Sequence, residues 1–384
     1  MNKIVVAVIF GSRSTEHDVS IITALSSIIK PLELTNKYQV IPIYISKDGV
    51  WYSDPRLRDV SLFTSGKIDS LMTKLKPLVL QFSDGLNIIK PGLKPKSIKI
   101  DVVFPATHGT HGEDGELMGL LEMANVPYVG CDMPSSVLAM DKALAKIITT
   151  YHGILTSDFE WFYAQDFKDR PQAILKQLAR LNYPLFVKPV HLGSSIAVSR
   201  VKDSMELKNA IEVAAHYDNK IIVEQAVNNL IEVTVPIIGN DKLTPALVEQ
   251  PLLKGEDFFD FDTKYMGGGG KKGKGAKGTQ GYSKLPAEIP QDLYQKSEQT
   301  ALAVYRCLGC SGIARVDLLI DTKTKKVYFN EVNPLPGGLY AHNWRQAGKS
   351  SVQIVSQLIE LAEDKFQQKQ KLATSFKTNY LKQY

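Results

Sequence analysis

Cysteine is scarce in this sequence, with three residues (Cys131, Cys307 and Cys310) in a chain of 384. Three cysteines cannot form a disulfide framework, and no second cysteine pair or histidine pair completes a zinc site with Cys307 and Cys310. Their apolar neighbours indicate buried structural thiols near a helix end. A chain of this length can bury sizeable cores without disulfides or metals, and we expect it to work in the reducing cytoplasm.

Long apolar runs are also absent. The only apolar run near the N-terminus covers residues 4–10, which is too short to span a bilayer and lacks a convincing cleavage region. The sequence contains no internal repeat, and its 44% hydrophobic and 22% charged residues are ordinary for a globular protein. These features argue against a membrane protein, a disordered chain, collagen and a coiled coil.

Positive charge is concentrated in one segment. The net charge is +6, and residues 266–284 alone hold five lysines and no acidic residue. A nucleic-acid-binding protein usually spreads its basic residues over a face, and tyrosines only flank this segment. The spacing from Gly268 to Lys274 is close to a P-loop, but Gly275 stands where a Mg²⁺-binding hydroxyl is needed. We therefore interpret the segment as a lid over a small anionic ligand, or as a disordered linker.

The order of apolar runs and helical patterns predicts an α/β fold with two to three domains, at about 150 residues per domain. Expected strands cover residues 4–10, 38–45, 101–105, 128–129, 158–162, 185–188, 196–201, 220–224, 232–238, 312–321 and 326–333. Expected helices cover residues 18–29, 115–124, 171–181, 203–216 and 291–308, two helical stretches lie between 134 and 152, and a last helix begins near 350. The end from residue 364 is expected to be a solvated tail. For residues 51–99 the sequence does not predict the order of strands and helices.

Two neighbouring strands carry the strongest chemical pattern. Arg315 and Asp317 are two residues apart, as are Glu331 and Asn333, so each pair shares one face of its strand. Oxygen ligands of this kind suit Mg²⁺ shared with phosphate oxygens. The alternative is a surface ion-pair network, which would contribute little to stability.

Weaker patterns point to phosphate binding. Lys188 ends an apolar strand shortly before Gly193, Ser194 and Ser195, and a lysine beside a glycine–serine turn can bind an anion. A plain β-turn explains the same residues equally well. The segment from His108 to Asp114 looks like a metal site, but its glycines favour a close loop approach to a ligand.

Taken together and in order, these segments resemble the D-alanine–D-alanine ligases of the ATP-grasp superfamily over nearly the whole chain. The matching blocks are Phe10-Gly-Ser-Arg-Ser-Thr-Glu-His-Asp-Val-Ser20, His108-Gly with Gly112-Glu-Asp-Gly-Glu-Leu117, Tyr128-Val-Gly130 through Met140-Asp-Lys142, Lys188-Pro with Gly193-Ser-Ser195, Phe261-Asp-Thr-Lys-Tyr265, Ala314-Arg-Val-Asp317 and Asn330-Glu-Val-Asn333.

The resemblance implies an α/β fold of three domains, with ATP held between the second and third. The expected domains are a Rossmann-like unit (1–135), a central ATP-grasp unit (136–226) and a C-terminal catalytic unit (227–384).

The resemblance also implies roles for single residues. ATP would contact Lys142, Lys188, Ser194, Ser195, Glu224, Gln225, Val227, Glu232 and Lys264. Two Mg²⁺ ions would bind Asp317, Glu331 and Asn333. Amino-acid substrates would contact Glu16, Val19, Ser20, His108, Arg315, Gly337, His342 and Asn343. Glu16, Ser194 and Tyr265 would form a triad that closes the site, while Arg315 and the Gly337 N–H would stabilise an oxyanion.

The implied activity is ATP-dependent ligation of two D-amino acids through an acyl phosphate, which supplies a peptidoglycan precursor. Partners would be small amino acids, with neither nucleic acid nor membrane, and family members are commonly homodimers. Alternatives are a ligase with another acceptor (D-serine, D-lactate or another amine) and, in a different class, a nucleotide sensor without catalysis.

Three departures from the family pattern stand out. Ser12 and Ala197 occupy positions where glycine is usual, and neither change touches the chemistry directly. His342 and Asn343 stand where the family has a hydroxyl and an apolar residue near the second substrate's carboxylate. Because both are larger and polar, we hypothesise that the acceptor is not simply D-alanine.

Overall fold

The structure is a computed structural model that describes residues 3–92, 94–252 and 283–384. Lys264, Tyr265 and residues 266–282 of the lysine-rich segment therefore lie outside the described residues, and their predicted roles stay predictions. Within the described ranges, no helix has both the length and the apolar character needed to cross a membrane.

Strands and helices alternate as an α/β fold requires. The strands are β1 (Ile4–Gly11), β2 (Tyr38–Ile45), β3 (Trp51–Tyr52), β4 (Val79–Phe82), β5 (Leu86–Lys90), β6 (Lys96–Lys99), β7 (Val102–Pro105), β8 (Phe159–Tyr163), β9 (Leu185–Pro189), β10 (Ser199–Val201), β11 (Lys220–Gln225), β12 (Leu230–Ile238), β13 (Thr244–Pro245), β14 (Gln250–Pro251), β15 (Ser283–Lys284), β16 (Ile313–Asp321) and β17 (Lys326–Asn333). The α-helices are α1 (His17–Ile22), α2 (Lys30–Glu33), α3 (Val60–Thr64), α4 (Ile68–Met72), α5 (Glu116–Met123), α6 (Met133–Met140), α7 (Lys142–Tyr151), α8 (Ala164–Asp169), α9 (Pro171–Leu178), α10 (Ser204–Tyr217), α11 (Gln291–Cys307), α12 (Ala341–Gln346) and α13 (Ser351–Gln370). A π-helix covers Thr23–Ile29, and short 3₁₀ helices cover Pro55–Arg58, Gly337–Tyr340 and Tyr380–Gln383.

The first sheet has the order β3-β2-β1-β7, and β1 pairs in parallel with both β2 and β7. Its continuous apolar strand β1 is buried from Val6 to Phe10, as expected for a parallel strand covered on both faces. The loops that follow β1 and β7 meet at the carboxyl edge of this sheet, where open α/β sheets bind ligands. These loops carry Glu16 and His108.

The second and third sheets are antiparallel at every strand pair. The second has the order β10-β9-β11-β8, and the third has the order β13-β12-β16-β17. Between β16 and β17, Arg315 pairs with Asn333 and Asp317 pairs with Glu331, which confirms that these strands are neighbours. A register shift follows Asp317, so the polar pairs lie at the regular end of the ladder.

The hydrophobic cores connect distant parts of the chain. Ala139 of α6 and Ala145 of α7 pack into the core of the third sheet, although both helices precede the second sheet in sequence. Ile354 and Val355 of α13 pack into the core of the first sheet. Cys131 and Cys310 are buried free thiols within the third-sheet core, as expected for structural cysteines.

Several local predictions were wrong or incomplete. The helix expected over 18–29 is divided, with a π-helix from Thr23 to Ile29 after α1. The strand expected over 196–201 is limited to Ser199–Val201, because Ser194, Ser195 and Ala197 have left-handed φ values that an extended strand excludes.

The predicted solvated C-terminal end is confirmed from residue 367, beyond which every residue is exposed. Residues beyond Asp364 continue helix α13 to Gln370, and Lys365 lies 3.1 Å from Asp132 in an ion pair. The unassigned region 51–99 forms β3 to β6 with short helices, and β4, β5 and β6 make a separate antiparallel sheet. Alternation was weak there because most of its residues are partly exposed.

Candidate active site

Glu16 and Ser194 meet across 178 residues of sequence. The Ser194 hydroxyl donates a hydrogen bond to Glu16 Oε1, and both side chains are buried. A Cβ on Gly109 would lie 2.9 Å from Glu16 Oε2, and one on Gly193 would lie 3.0 Å from the same atom. The two glycines are therefore required by the close approach of two loops to this carboxylate. The structure brings together two members of the predicted triad, and the third, Tyr265, is outside the described residues.

A second group of contacts joins the first sheet to the loop after β17. His108 Nε2 lies 2.8 Å from Thr23 Oγ1, and that hydroxyl accepts a hydrogen bond from Gly338 N at 3.0 Å. Glu113 accepts from the backbone N–H of Leu335 at 3.3 Å. Burial lowers the pKa of His108 to about 4, so its imidazole is neutral at physiological pH. A neutral ring next to Thr23 acts as a hydrogen-bonding group and not as a charge.

Lysines and one carboxylate line the space between the second and third sheets. Lys188 Nζ donates to Glu224 Oε2 at 3.0 Å, and Lys146 Nζ lies 3.7 Å from the same oxygen. Lys142 Nζ donates to Leu192 O at 2.6 Å. Burial alone would raise the pKa of Glu224, but the two neighbouring ammonium groups lower it, so the carboxylate is ionised.

One acceptor in this space lacks a partner. Glu224 Oε1 is buried and makes no hydrogen bond within the described part of the chain, whereas Oε2 is used by the lysines. A buried unsatisfied acceptor is costly and points to a donor that is missing from the protein alone. The amino group of a nucleotide base is such a donor.

The polar pairs of β16 and β17 converge as the sequence predicts. Arg315 Nε donates to Asp317 Oδ1 at 2.7 Å, and Asn333 Nδ2 donates to Asp317 Oδ2 at 3.3 Å. Glu331 Oε2 lies 3.6 Å from Lys142 Nζ, which joins this face to the lysines of the central unit. In the described ranges no group of three or more His, Cys, Asp or Glu residues could hold a metal, so any metal here needs the Asn333 carbonyl and phosphate oxygens besides the two carboxylates.

His342 and Asn343 are bound to a carboxylate that sequence analysis did not single out. His342 Nε2 lies 2.9 Å from Glu249 Oε2, and Asn343 Nδ2 donates to the same oxygen at 3.1 Å. Asn343 is fully buried and also exchanges hydrogen bonds of 3.0 and 2.9 Å with the backbone of Leu247. The guanidinium of Arg315 lies 5.1 Å from the ring centre of Tyr340, beside this group. The first effect of both residues is thus to fix Glu249 and Leu247.

The remaining predicted site residues differ in their burial and in their hydrogen bonds. Ser20 is fully buried; its hydroxyl accepts from Gly11 N and donates to Ala106 O, both at 2.7 Å, so it joins β1 to β7. Gln225 Oε1 accepts from Asn182 N at 2.9 Å, which commits its side chain to that turn. Half-buried positions are found for Val19, Ser195, Val227, Glu232 and Gly337. Their predicted substrate and nucleotide contacts stay predictions.

Four residues of this site carried no role in the sequence analysis: Thr23, Lys146, Glu249 and, except as a part of the 108–114 segment, Glu113. Lys146 had one usable signal, since it follows Lys142 by four residues and so lies on the same helix face. Glu249 had none, because it ends a short apolar run with no partner nearby in sequence. The two departures Ser12 and Ala197 have φ values of 90° and 56°, which is why glycine would be the easier residue there.

Two family models match the chain in succession. The model described as D-ala D-ala ligase N-terminus matches residues 5–131, and the model described as D-ala D-ala ligase C-terminus matches residues 148–360. The chain belongs to the D-alanine–D-alanine ligase family. A D-alanine–D-alanine ligase of Acetivibrio thermocellus is 36% identical over 380 residues, covering 94% of this chain and 96% of the relative. Another from Chlorobium phaeovibrioides is 36% identical over 372 residues, covering 94% and 98%.

Solved structures agree with this family assignment. The VanG D-Ala:D-Ser ligase of Enterococcus faecalis has a TM-score of 0.75 at 33% identity and covers 94% of this chain and 100% of its own. The D-alanine–D-alanine ligase of Coxiella burnetii has a TM-score of 0.78 at 28% identity, with 97% of both chains covered. The three-domain ATP-grasp type of fold is therefore confirmed for this member of the ligase family.

The hypothesis of a different acceptor, drawn from His342 and Asn343, is not favoured by the many D-alanine–D-alanine ligases among the relatives.

Proposed function

We propose that this member of the D-alanine–D-alanine ligase family joins two D-alanine molecules in an ADP-forming reaction that yields a dipeptide for peptidoglycan synthesis. Use of ATP follows from family membership. The observation that carries the proposal is the convergence of Lys142, Lys188, Asp317 and Glu331 on one space between two sheets, next to the Glu16–Ser194 contact. Cations and carboxylates in this arrangement suit phosphoryl transfer, which needs positioning and charge neutralisation.

In the proposed reaction, the carboxylate of the first D-alanine attacks the γ-phosphate of ATP and forms an acyl phosphate with release of ADP. The amine of the second D-alanine then attacks the acyl carbon, and phosphate leaves from the tetrahedral intermediate. Arg315 would neutralise the developing oxyanion together with the N–H of Gly337. Glu16 would bind the first ammonium group, and Lys264 would join Lys142 and Lys188 at the phosphates.

Two Mg²⁺ ions fit the donors of the third sheet. Asp317, Glu331 and the Asn333 carbonyl are hard oxygen ligands on one face, and the Arg315 and Lys142 side chains show that this face attracts positive charge. When bound, Mg²⁺ would neutralise charge on the phosphates. Glu224 Oε1 supports the ATP site in the same way, because its free acceptor suits an adenine amino group.

Several other expectations belong to this proposal. Glu16, Ser194 and Tyr265 would form the closing triad, and Gln225, Val227 and Glu232 would contact adenine and ribose. The domain bounds 1–135, 136–226 and 227–384 are part of the proposal, and three separate four-stranded sheets support the number of domains. A homodimer follows the habit of the family, and the cytoplasm is where ATP and free D-amino acids would be met.

The test is ADP release with D-alanine, D-serine and D-lactate as acceptors, followed by mass spectrometry of the product. We expect ADP and D-alanyl-D-alanine in equal amounts, with D-alanine the preferred acceptor. Asp317→Ala provides the catalytic control, and it should release neither product. ADP release without a dipeptide, or a mixed product in preference to the D-alanine dipeptide, would overturn the proposal.

A further inference from the structure

Four charged side chains meet where β9 leads into the turn that carries Ser194. His191 Nδ1 lies 3.0 Å from Asp218 Oδ2, and its Nε2 lies 3.4 Å from Asp141 Oδ2. Lys220 Nζ donates to Asp141 Oδ2 at 2.6 Å. A single imidazole therefore bridges two carboxylates, each of which is buried.

The two carboxylates belong to the ends of two different helices. Asp141 caps the N-terminus of α7 by accepting from Leu144 N at 2.9 Å, and Asp218 is the C-terminal cap residue of α10. Asp218 also accepts from the backbone N–H of His191 at 2.7 Å. His191 is thus hydrogen-bonded through both its backbone and its ring, and it joins the exit of β9 to two helices.

Charge balance favours a protonated ring. One lysine against two carboxylates leaves a net charge of −1, which an imidazolium neutralises. Hydrogen bonds to Asp141 and Asp218 raise the pKa of His191 to about 9, even though burial opposes this. These groups, with Lys220, are the charged groups that face the ring from α7, α10 and β11, and the rest of its side chain, 40% exposed, faces solvent.

The same contacts determine where the Lys142 ammonium lies. Lys142 directly follows Asp141, and its Nζ donates to Leu192 O at 2.6 Å and to Val190 O at 3.5 Å. Val190 and Leu192 flank His191 in sequence. A movement of His191 would therefore displace the two carbonyls that orient this lysine.

The turn beyond His191 also needs support. Ser194 and Ser195 have φ values of 53° and 57°, a left-handed conformation that is unfavourable for residues other than glycine. Such a conformation persists when the surrounding structure fixes it. The Glu16 contact fixes the turn from one side, and the bridged His191 fixes its entrance.

We infer that His191, in its charged form, is a positioning residue that holds Lys142 and the Gly193–Ser195 turn in place for the phosphates of the nucleotide. It acts through Asp141 and Asp218 and not by contact with the reacting atoms. The inference rests on the proposed function in one respect, namely that nucleotide phosphates bind at this turn. Binding of nucleotide alone therefore tests it without reference to the amino-acid substrates.

The experiment measures Mg·ADP affinity by titration calorimetry from about pH 7 to pH 10, the range that spans the His191 pKa. His191→Gln removes the charge, His191→Arg keeps a permanent one, and His216→Gln makes the same change at an exposed histidine near the end of α10. We expect wild-type affinity to fall as the pH rises through about 9. His191→Gln should bind about tenfold more weakly at neutral pH without that step, as for the loss of a charge-assisted hydrogen bond. His191→Arg should restore binding at neutral pH and flatten the pH profile, while His216→Gln should behave as the wild type.

Wild-type affinity in His191→Gln, or equal weakness in His191→Gln and His191→Arg with unchanged melting temperatures, would overturn the inference. Should His191→Gln fail to fold, the wild-type pH profile carries the test, and a flat profile would overturn the inference. Failure of D-alanine ligation with an intact binding profile would instead refute the proposed function alone.

Discussion

Replacement of Lys146 by methionine tests the charge network that lines the space between the second and third sheets. Lys146 has no exposed surface, and its ammonium lies 3.7 Å from Glu224 Oε2 and within 3.4 Å of Ser157 Oγ and Phe329 O. Methionine has a similar length and no charge. The substitution therefore removes the ion pair and two weak hydrogen bonds with little change in volume.

The expected loss of unfolding free energy is the net result of opposing electrostatic effects. The attraction between Lys146 and Glu224 is about 4 kcal/mol at an effective dielectric constant of about 20. Burial opposes the ammonium charge and lowers the pKa of Lys146, and Lys188 repels it. Because Lys188 remains 3.0 Å from the same carboxylate, Glu224 keeps a partner in the variant. We expect the free energy of unfolding to fall by about 2 kcal/mol, less than when a buried charge is left alone.

The assay is urea unfolding of wild type, Lys146→Met, Glu224→Gln and the double variant near neutral pH. The double-mutant cycle should give a coupling energy of about 1–2 kcal/mol between the two residues. Lys208→Met, at an exposed lysine of α10, should change stability by less than about 0.5 kcal/mol. Equal or greater stability of Lys146→Met would refute the reasoning, since the burial penalty of the lysine would then exceed its attraction to Glu224.

Three further outcomes follow from the geometry. Asp317→Ala and Glu331→Ala should each abolish ATP turnover while leaving the fold intact; near-normal turnover at saturating Mg²⁺ would remove the metal assignment. Asn343→Leu should lower the free energy of unfolding by about 2–3 kcal/mol, because both backbone groups of Leu247 lose their partners; chemical denaturation measures this, and an unchanged stability would contradict it. Ala197→Gly should raise the melting temperature by about 1 °C, because it relieves a φ of 56° at the expense of a more flexible unfolded chain; calorimetry would contradict this by a decrease.

Patterns with a short period were predictable from the sequence. The buried run of β1 and the alternation around Arg315, Asp317, Glu331 and Asn333 gave the first sheet and the convergent polar face, because strand geometry alone relates residues two apart. The same logic failed near Ser194, where three left-handed residues interrupt an apparently extended segment. Only tertiary contacts stabilise such a conformation, and local sequence does not reveal them.

Contacts between residues that are far apart in the sequence were harder to predict. Glu249 meets His342 across 93 residues, and Glu16 meets Ser194 across 178. The Glu16–Ser194 pair was found only because the whole chain resembles a family, not from spacing. The acceptor hypothesis considered the side chains of His342 and Asn343 without their partners. Both side chains form hydrogen bonds with Glu249, which the sequence does not reveal. Their hydrogen-bonding capacity is used at least in part within the protein.

The link between Thr23, Glu113 and the loop after β17 has a consequence for exchanging parts between relatives. That loop follows the third sheet in sequence, but the N–H groups of Leu335 and Gly338 are bound by side chains of the N-terminal third of the chain. A chimera that transplants residues 333–346 alone would leave those N–H groups facing foreign side chains. The smallest transferable piece is therefore discontinuous, and it joins this loop to the π-helical turn at Thr23 and the segment around Glu113. Recombination points chosen at domain boundaries would separate these parts, whereas points chosen to keep all three from one parent would preserve them.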